Sequence, residues 1–359
     1  MNNDINCRFC GGSLAEFVDL GMSPLCESYL AKDQLNSMEP FYPLAAYVCC
    51  DCLLVQLQEY VAPEDIFSEY AYFSAYSDAW LDHARQYVAM MTERFGLGLA
   101  NRVIELGSND GYLLQFFVER GVPVLGIDPA ANVAKAAEQR GVQTLVKFFC
   151  AETARELADA GVQADLVFGN NVIAQVANLN SFVEGIRIIL KPGGVCTIEF
   201  PHLLLTMAGN QFDQIYQEHF SYFAALTAEK ILAAHGMRIF DLEELWNGGS
   251  LRIYACHAGD ATHPTEGSVS RVKGNTLFYY CGIRTDFLDY TVDRNPYKRG
   301  KYLPGTHIPI FPPEKIAETK PDYVLILPWN LKDEITARLP YIRDWDAKFA
   351  VPIPEVSVI

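Results

Sequence analysis

The sequence has no long apolar run and little positive charge. No stretch of its 359 residues approaches the ~20 consecutive apolar residues of a membrane-spanning helix. Lys and Arg number 28 against 44 Asp and Glu, a formal net charge of −16. So acidic a chain is a poor match for nucleic acid or an anionic membrane, and any anionic ligand must be held by local groups. The opening residues, MNNDINCRFC, contain no basic segment ahead of an apolar one, so no export signal is read and a cytoplasmic location is expected. The patterns GxGxxG and GK[ST] are also missing, which disfavours a dinucleotide or ATP-phosphate loop. There is no internal repeat or low-complexity tract. At this length two or three domains are expected.

Ten cysteines are present, and in a reducing compartment they are poor candidates for disulfides. Two CxxC pairs lie near the N-terminus, Cys7 with Cys10 and Cys49 with Cys52. Two such knuckles supply four thiolates to a tetrahedral zinc with no open position, a structural rather than a catalytic site. A redox pair or an iron–sulfur site is the competing reading, and Cys50 could compete for a ligand place. Cys26, Cys150, Cys196, Cys256 and Cys281 sit among apolar residues and read as core fillers.

A helical apolar period runs from Trp80 through Leu81, Ala84, Tyr87, Val88, Met91 and Phe95, stopped by Gly96 and Gly98. Short β-rich runs then recur: RVIEL, PVLGID, QTLVKF, DLVFGN and GVCTIEF, separated by helix-like segments. That alternation predicts a parallel sheet covered on both faces. MRIFDLEEL and SLRIYACH, joined by WNGG, predict a closing antiparallel hairpin. Further strand signals, FLDYTVD, DYVLILP and KFAVPIP, predict a second, smaller α/β layer after a polar junction at residues 258–272.

The first strand of the sheet runs into Glu105-Leu-Gly-Ser-Asn-Asp-Gly111, and the second ends at Asp128. A glycine turn there lets backbone approach a ligand, and an acid at a strand end can accept from ribose hydroxyls. Such turns also serve plain strand–helix junctions, and an Asp before Pro129 can simply begin a helix. The stretch YQEHFSYF, residues 216–223, raises a similar choice. It is either a short amphipathic element with a satisfied core histidine or a site placed beside the sheet.

Taken together, the zinc pairs, ELGSNDGY, GNNVIAQV, KPGGVCTIEFPH, FDQIYQEHFSYF, TVDRNPYKRGKYLPGTHIPIF and LPWNLKDEI resemble the sugar C-methyltransferases, enzymes that methylate a carbon of nucleotide-linked 4-keto-deoxysugars. The resemblance covers nearly the whole chain. It implies an α/β class I S-adenosylmethionine methyltransferase core, Rossmann-like with a terminal antiparallel hairpin. A small zinc domain precedes it and a shortened C-terminal α/β domain follows, with boundaries at residues 1–75, 76–258 and 259–359. The cofactors implied are S-adenosylmethionine and structural zinc on Cys7, Cys10, Cys49 and Cys52. The partner is a small nucleotide sugar, with no nucleic acid and no membrane.

By position, Glu105, Gly107, Ser108, Asn109 and Gly111 would surround the cofactor's methionine and ribose, and Asp128 would hold the ribose. Phe149 would pass near the adenine, and Asn170 and Asn171 would line the floor beneath the methyl group. The chemistry implied is removal of a proton beside a ketone, which needs a base and donors for the enolate oxygen. His219 is the implied base, Glu218 its orienting acid or a sugar ligand, and Tyr216 a donor. Tyr72 is chosen over Tyr70 and Tyr76 as a further tyrosine. The family commonly has histidine at Gln175, and glutamine can donate a hydrogen bond but cannot relay a proton near neutral pH. His202, His307 and Asn330 are the implied substrate contacts. One departure stands out: SVSRV runs directly into Lys273-Gly-Asn-Thr276, where the family has a strand and a glycine-rich turn, so weaker nucleotide-sugar binding is expected.

Overall fold

The computed structural model describes residues 6–25, 38–70, 73–76, 78–208, 211–245, 249–264, 288–292, 300, 308–326, 332–351 and 357–358. The chain divides into two compact units, the first comprising residues 1–206 and 211–264 and the second residues 207–210 and 265–359.

The N-terminal part of the first unit contributes β1 (Leu14–Ser23), β2 (Tyr42–Cys49) and β3 (Val55–Leu57), which pair antiparallel in that order. A short helix α1 (Pro63–Phe67) follows, and then α2 (Asp78–Phe95). The predicted period of α2 is realised: Ala84, Tyr87, Val88 and Met91 are all buried in one core cluster with Phe117, Leu166, Phe168 and Tyr254.

The main sheet alternates with helices as expected. In chain order it comprises β4 (Val103–Leu106), α3 (Leu114–Glu119), β5 (Val124–Asp128), α4 (Ala131–Gln139), β6 (Thr144–Val146), α5 (Ala151–Asp159), β7 (Ala164–Asn170), α6 (Leu179–Ile189) and β8 (Leu190–Pro201). After α7 (Leu203–Ala208) come β9 (Ser221–Tyr222), α8 (Ala225–Ala234) and the hairpin strands β10 (Met237–Glu244) and β11 (Ser250–His257). The seven-stranded order is β10-β11-β8-β7-β4-β5-β6. Strands β6, β5, β4, β7 and β8 are parallel, and β11 joins antiparallel to β8. β4 is buried at every position, which is why VIEL does not alternate apolar with exposed polar residues; its one polar residue, Glu105, is buried too. The strand order reverses between β4 and β7, the connections running to one side after β4 and to the other after β7, so a crevice opens at the carboxyl ends of these parallel neighbours.

Strand β9 does not belong to that sheet. It adds to the N-terminal one as a fourth strand, pairing Val55 with Tyr222 and Gln56 with Ser221. Leu203 and Tyr222 complete the apolar cluster of that sheet with Leu44, Ala46, Val55 and Leu57.

At the hairpin side, the sheet interior holds a buried polar knot. Arg252, 1% exposed, pairs with Glu199 at 2.9 Å and Glu243 at 2.8 Å, and His83 Nε2 lies 3.1 Å from Glu199. Glu243 also accepts from the Tyr254 hydroxyl at 2.8 Å. Glu199 stands opposite Asn170 in the β7–β8 register, so the knot fixes the strand that borders the crevice.

In the second unit, the strand Tyr323–Leu325 pairs parallel with Lys348–Val351, which pairs antiparallel with Ser357–Val358. Ile316, Ile326, Ile342 and Phe349 form its core. Residues 273–276 lie outside the described residues. Among the described residues no helix is long and apolar enough to cross a membrane.

Removing the cation of the buried knot deprives two carboxylates of their partner. Arg252→Met should lower unfolding stability by about 3–5 kcal/mol, read as an earlier urea midpoint.

Candidate active site

The loop after β4 is shaped by positive φ angles at Gly107 (65°), Asn109 (48°) and Gly111 (76°). A Cβ on Gly107 would stand 2.4 Å from Val172 Cγ2, so only glycine lets this turn lie against the loop after β7. Gly111 serves packing instead: its bare Cα faces Ala137 and Val142. Asp128 accepts from the Asn109 N–H through one oxygen and the Ala130 N–H through the other, both at 2.9 Å. It therefore shapes the loop and starts α4 while leaving further lone pairs for a ligand.

Several buried polar atoms here have no protein partner: Glu105 Oε2, Ser108 Oγ, Asp110 Oδ1, both side-chain amide atoms of Asn170 and Asn171 Oδ1. Buried polar groups are normally paired, so their convergence at the carboxyl ends of β4 and β7 marks a ligand place. Burial, with Asp128 and Asp110 nearby, pushes the Glu105 carboxyl well above the usual range. Asp110 and Asp128 are also raised, each mainly by burial. Three carboxyls held against their ionised forms favour a cationic ligand, and S-adenosylmethionine carries both a sulfonium and an ammonium. The residues fit that cofactor. Phe149 is half-buried and packs edge-on against Phe182 of α6, with ring centroids 5.5 Å apart.

Ser74 and Ala75 lie over this loop. Ser74 N–H donates to Asn109 Oδ1 at 3.1 Å and Ala75 N–H to Asp110 Oδ2 at 3.3 Å. Tyr70 exchanges two hydrogen bonds with Asn132 of α4, at 3.1 and 2.7 Å. Its hydroxyl donates to Glu218 Oε2 at 3.2 Å, and Gln175 also bonds the phenol. Burial and the neighbouring Glu218 hold this phenol well above its ordinary pKa, so it stays a donor. Tyr70 was passed over in favour of Tyr72, which lies outside the described residues, as do His307 and Asn330. No local pattern separates three tyrosines spaced two to four apart. Only the fold shows that Tyr70 reaches Glu218.

His219 is 4% exposed. Its Nδ1 faces the Gln214 carbonyl at 3.2 Å, which fixes the proton on Nδ1 and leaves the lone pair on Nε2. Nε2 accepts from the Tyr216 hydroxyl at 2.7 Å, and the two rings stack with centroids 4.1 Å apart. Burial lowers the imidazole to about 4. His202 is likewise buried and lowered to about 4, and neither of its ring nitrogens has a partner.

The four thiolates assemble. Cys7 Sγ lies 3.5 Å from Cys52 Sγ, Cys10 Sγ lies 3.4 Å from Cys49 Sγ, and all four lie within 4.8 Å of one another. Tetrahedral zinc with Zn–S bonds of ~2.3 Å implies an edge of ~3.8 Å, so the set fits. Burial raises Cys49, but hydrogen bonds from the Cys52 and Asp51 backbones and from the Cys10 and Cys52 thiols together outweigh it and bring this thiol to about 7. Cys196 and Cys256 are buried, Cys150 is half-buried, and Cys26 and Cys281 lie outside the described residues.

Family models match three segments: a zinc binding domain at residues 7–67, a methyltransferase domain at 80–242 and a C-methyltransferase C-terminal domain at 270–354. C-methyltransferase NovU of Streptomyces niveus is 31% identical over 405 aligned residues, covering 98% of this chain and 96% of that protein. That alignment exceeds the 359 residues of this chain, so the relative has stretches with no counterpart here. A ubiquinone biosynthesis O-methyltransferase of Chelativorans sp. is 32% identical, but over only 26% of this chain and 38% of its own. Among solved structures, the PH0226 protein of Pyrococcus horikoshii aligns at 16% identity and a TM-score of 0.43, covering 56% of this chain and 99% of that one. So distant a likeness carries no argument about function.

Gly107→Ala should weaken S-adenosylmethionine binding by roughly 5- to 150-fold, the equivalent of about 1–3 kcal/mol of backbone strain, in calorimetric titration. The histidines give a pH test. Unfolded imidazole protonates near 6.5 and the buried rings near 4, so stability is lost as pH falls through that window and is intact above it. His202→Asn or His219→Asn should flatten that loss, by on the order of 3 kcal/mol at most per site, in urea midpoints measured across the window.

Proposed function

This chain belongs to the C-methyltransferase family, and we propose that its acceptor is the carbon beside the ketone of a nucleotide-linked 4-keto-deoxysugar. The enzyme depends on S-adenosylmethionine, which when bound supplies an electrophilic methyl group, and its zinc site is structural.

The observation that carries this reading is the pair of hydrogen-bonded couples formed by one short stretch, Tyr216 with His219 and Tyr70 with Glu218. Carbon methylation beside a ketone needs a neutral base and a donor for the oxygen that gains charge. His219 is held neutral with its lone pair on Nε2, the state a base requires. In this mechanism the Tyr216 hydroxyl turns from Nε2 to the enolate oxygen, and Nε2 takes the proton from carbon. Negative charge developing beside the ring raises the basicity that burial lowered. Tyr70, fixed to Asn132 and Glu218, holds the sugar side of the site, with Gln175 as a hydrogen-bonding neighbour. Asn170, Asn171 and His202, buried with unpaired polar atoms, offer bonds to the reacting groups. Residues 1–75, 76–258 and 259–359 then act as zinc, methyl-transfer and nucleotide-holding segments, with His307 and Asn330 in the last.

The test is incubation with S-adenosylmethionine and a panel of dTDP-4-keto sugars in deuterated water. Deuterium exchange beside the ketone together with methyl transfer is the expected result. His219→Asn should abolish both while leaving cofactor affinity intact. An acceptor methylated on oxygen or nitrogen, with no exchange, would overturn the proposal.

A further inference from the structure

Arg8 lies inside the first CxxC knuckle, between two of the knuckle's cysteines, yet its side-chain hydrogen bonds run to other segments of the chain. Its backbone N–H donates to Gln56 Oε1 at 3.0 Å, and Gln56 sits opposite Ser221 in the β3–β9 pairing. One guanidinium nitrogen donates to the Leu57 carbonyl, and the other reaches the Ala177 carbonyl at 3.4 Å. The guanidinium also lies 5.4 Å from the centre of the Phe220 ring. Leu57 in turn donates its N–H to the Phe220 carbonyl at 3.0 Å. From the other side, Asn180 of α6 donates to the Phe9 carbonyl at 2.9 Å and to the Arg8 carbonyl at 3.4 Å. The knuckle is thus tied to two places: the residue directly after His219, and the turn two residues beyond Gln175.

We infer that Arg8 is a positioning residue, which clamps the Gln175 turn and the Glu218–His219 stretch to the zinc knuckle and so makes zinc binding set the geometry of the base. This rests on the reading of His219 as the base. The physical case is that arginine alone can span these acceptors. Its planar fork bonds two carbonyls from different segments while its face covers an aromatic ring. Both acceptors are main-chain oxygens, so the clamp fixes backbone rather than loose side chains. Zinc holds Cys7 and Cys10 on either side of Arg8, which gives the clamp a rigid anchor; groups that orient a site from behind its contact residues are commonly worth 10–100-fold in activity.

The experiment uses the zinc-loaded full chain. Long-range proton–nitrogen NMR of the histidine side chains, with His219 assigned through His219→Asn, reports which ring nitrogen carries the proton. In the wild type the Nδ1-protonated form is expected, and chelation of the zinc should remove that signature. Arg8→Gln should remove it with the zinc still bound, as measured by metal analysis, and should leave cofactor affinity unchanged. Its turnover number for exchange beside the ketone should fall by roughly 10–100-fold with a smaller change in KM, and Arg8→Lys should recover part of the loss. Should Arg8→Gln fail to fold, Arg8→Lys, which keeps the stem and charge but loses the two-pronged fork, is read in its place against the wild type. An unaltered His219 signature in zinc-loaded Arg8→Gln, or in Arg8→Lys where that substitutes, overturns the inference. A wild type that shows no exchange overturns the reading of the base instead, and the NMR comparison distinguishes the two.

Discussion

The pairing of β3 with β9 is the constraint on which the site depends. It puts Val55 against Tyr222 and Gln56 against Ser221, so residues that begin near position 220 complete a sheet that begins at position 14. Phe220 accepts from the Leu57 N–H just ahead of that strand, and Tyr216, Glu218 and His219 lie immediately before it, Glu218 bonded to Tyr70. His202 bridges to Phe223 and ties the same segment to the end of β8. Two sheets therefore share the short stretch that carries the proposed base. A strand of two residues has little stability of its own; it persists because Tyr222 is buried in the apolar cluster of the N-terminal sheet.

Charge burial shapes the rest. Around the cofactor loop, three carboxyls and a set of unpartnered amide and hydroxyl atoms are taken out of water, a costly arrangement for a structure that had no ligand to satisfy them. Beside the crevice, Arg252 and Glu199 are as deeply buried but pair with each other, and Arg252 reaches the partly exposed Glu243 as well. The contrast separates a part of the fold whose charges pair internally from a part whose buried polar atoms lack protein partners. The His219 ring is of neither kind: both its nitrogens are hydrogen-bonded, and burial holds it neutral.

Much of the fold was legible in residue order. The runs RVIEL, PVLGID, DLVFGN and GVCTIEF become β4, β5, β7 and β8, because strands covered on both faces are mostly apolar and stand out against helical segments. Asn171 was picked out by its place after the fourth strand of the main sheet, but nothing in the residue order marked its left-handed backbone at φ 59°. The tyrosines of SEYAYFSAY were not legible. Their order is set by a loop whose path over Asn109 and Asn132 comes from distant hydrogen bonds, which leave no period in the sequence.

By itself the sequence determined the chemistry available: four thiolates in two knuckles, a glycine turn after an acidic strand end, and an acid, an imidazole and a phenol within four residues. These are properties of residue type and local spacing, which survive without a fold. The tertiary structure decided which of them meet. The proton of His219 sits on Nδ1 because Gln214 turns its carbonyl to it, and Tyr70 reaches Glu218 across a separation of 148 residues. Arg8 reaches Ala177 across 169. Such contacts are fixed by packing and by the demand of buried polar groups for partners, neither of which is written in any one segment.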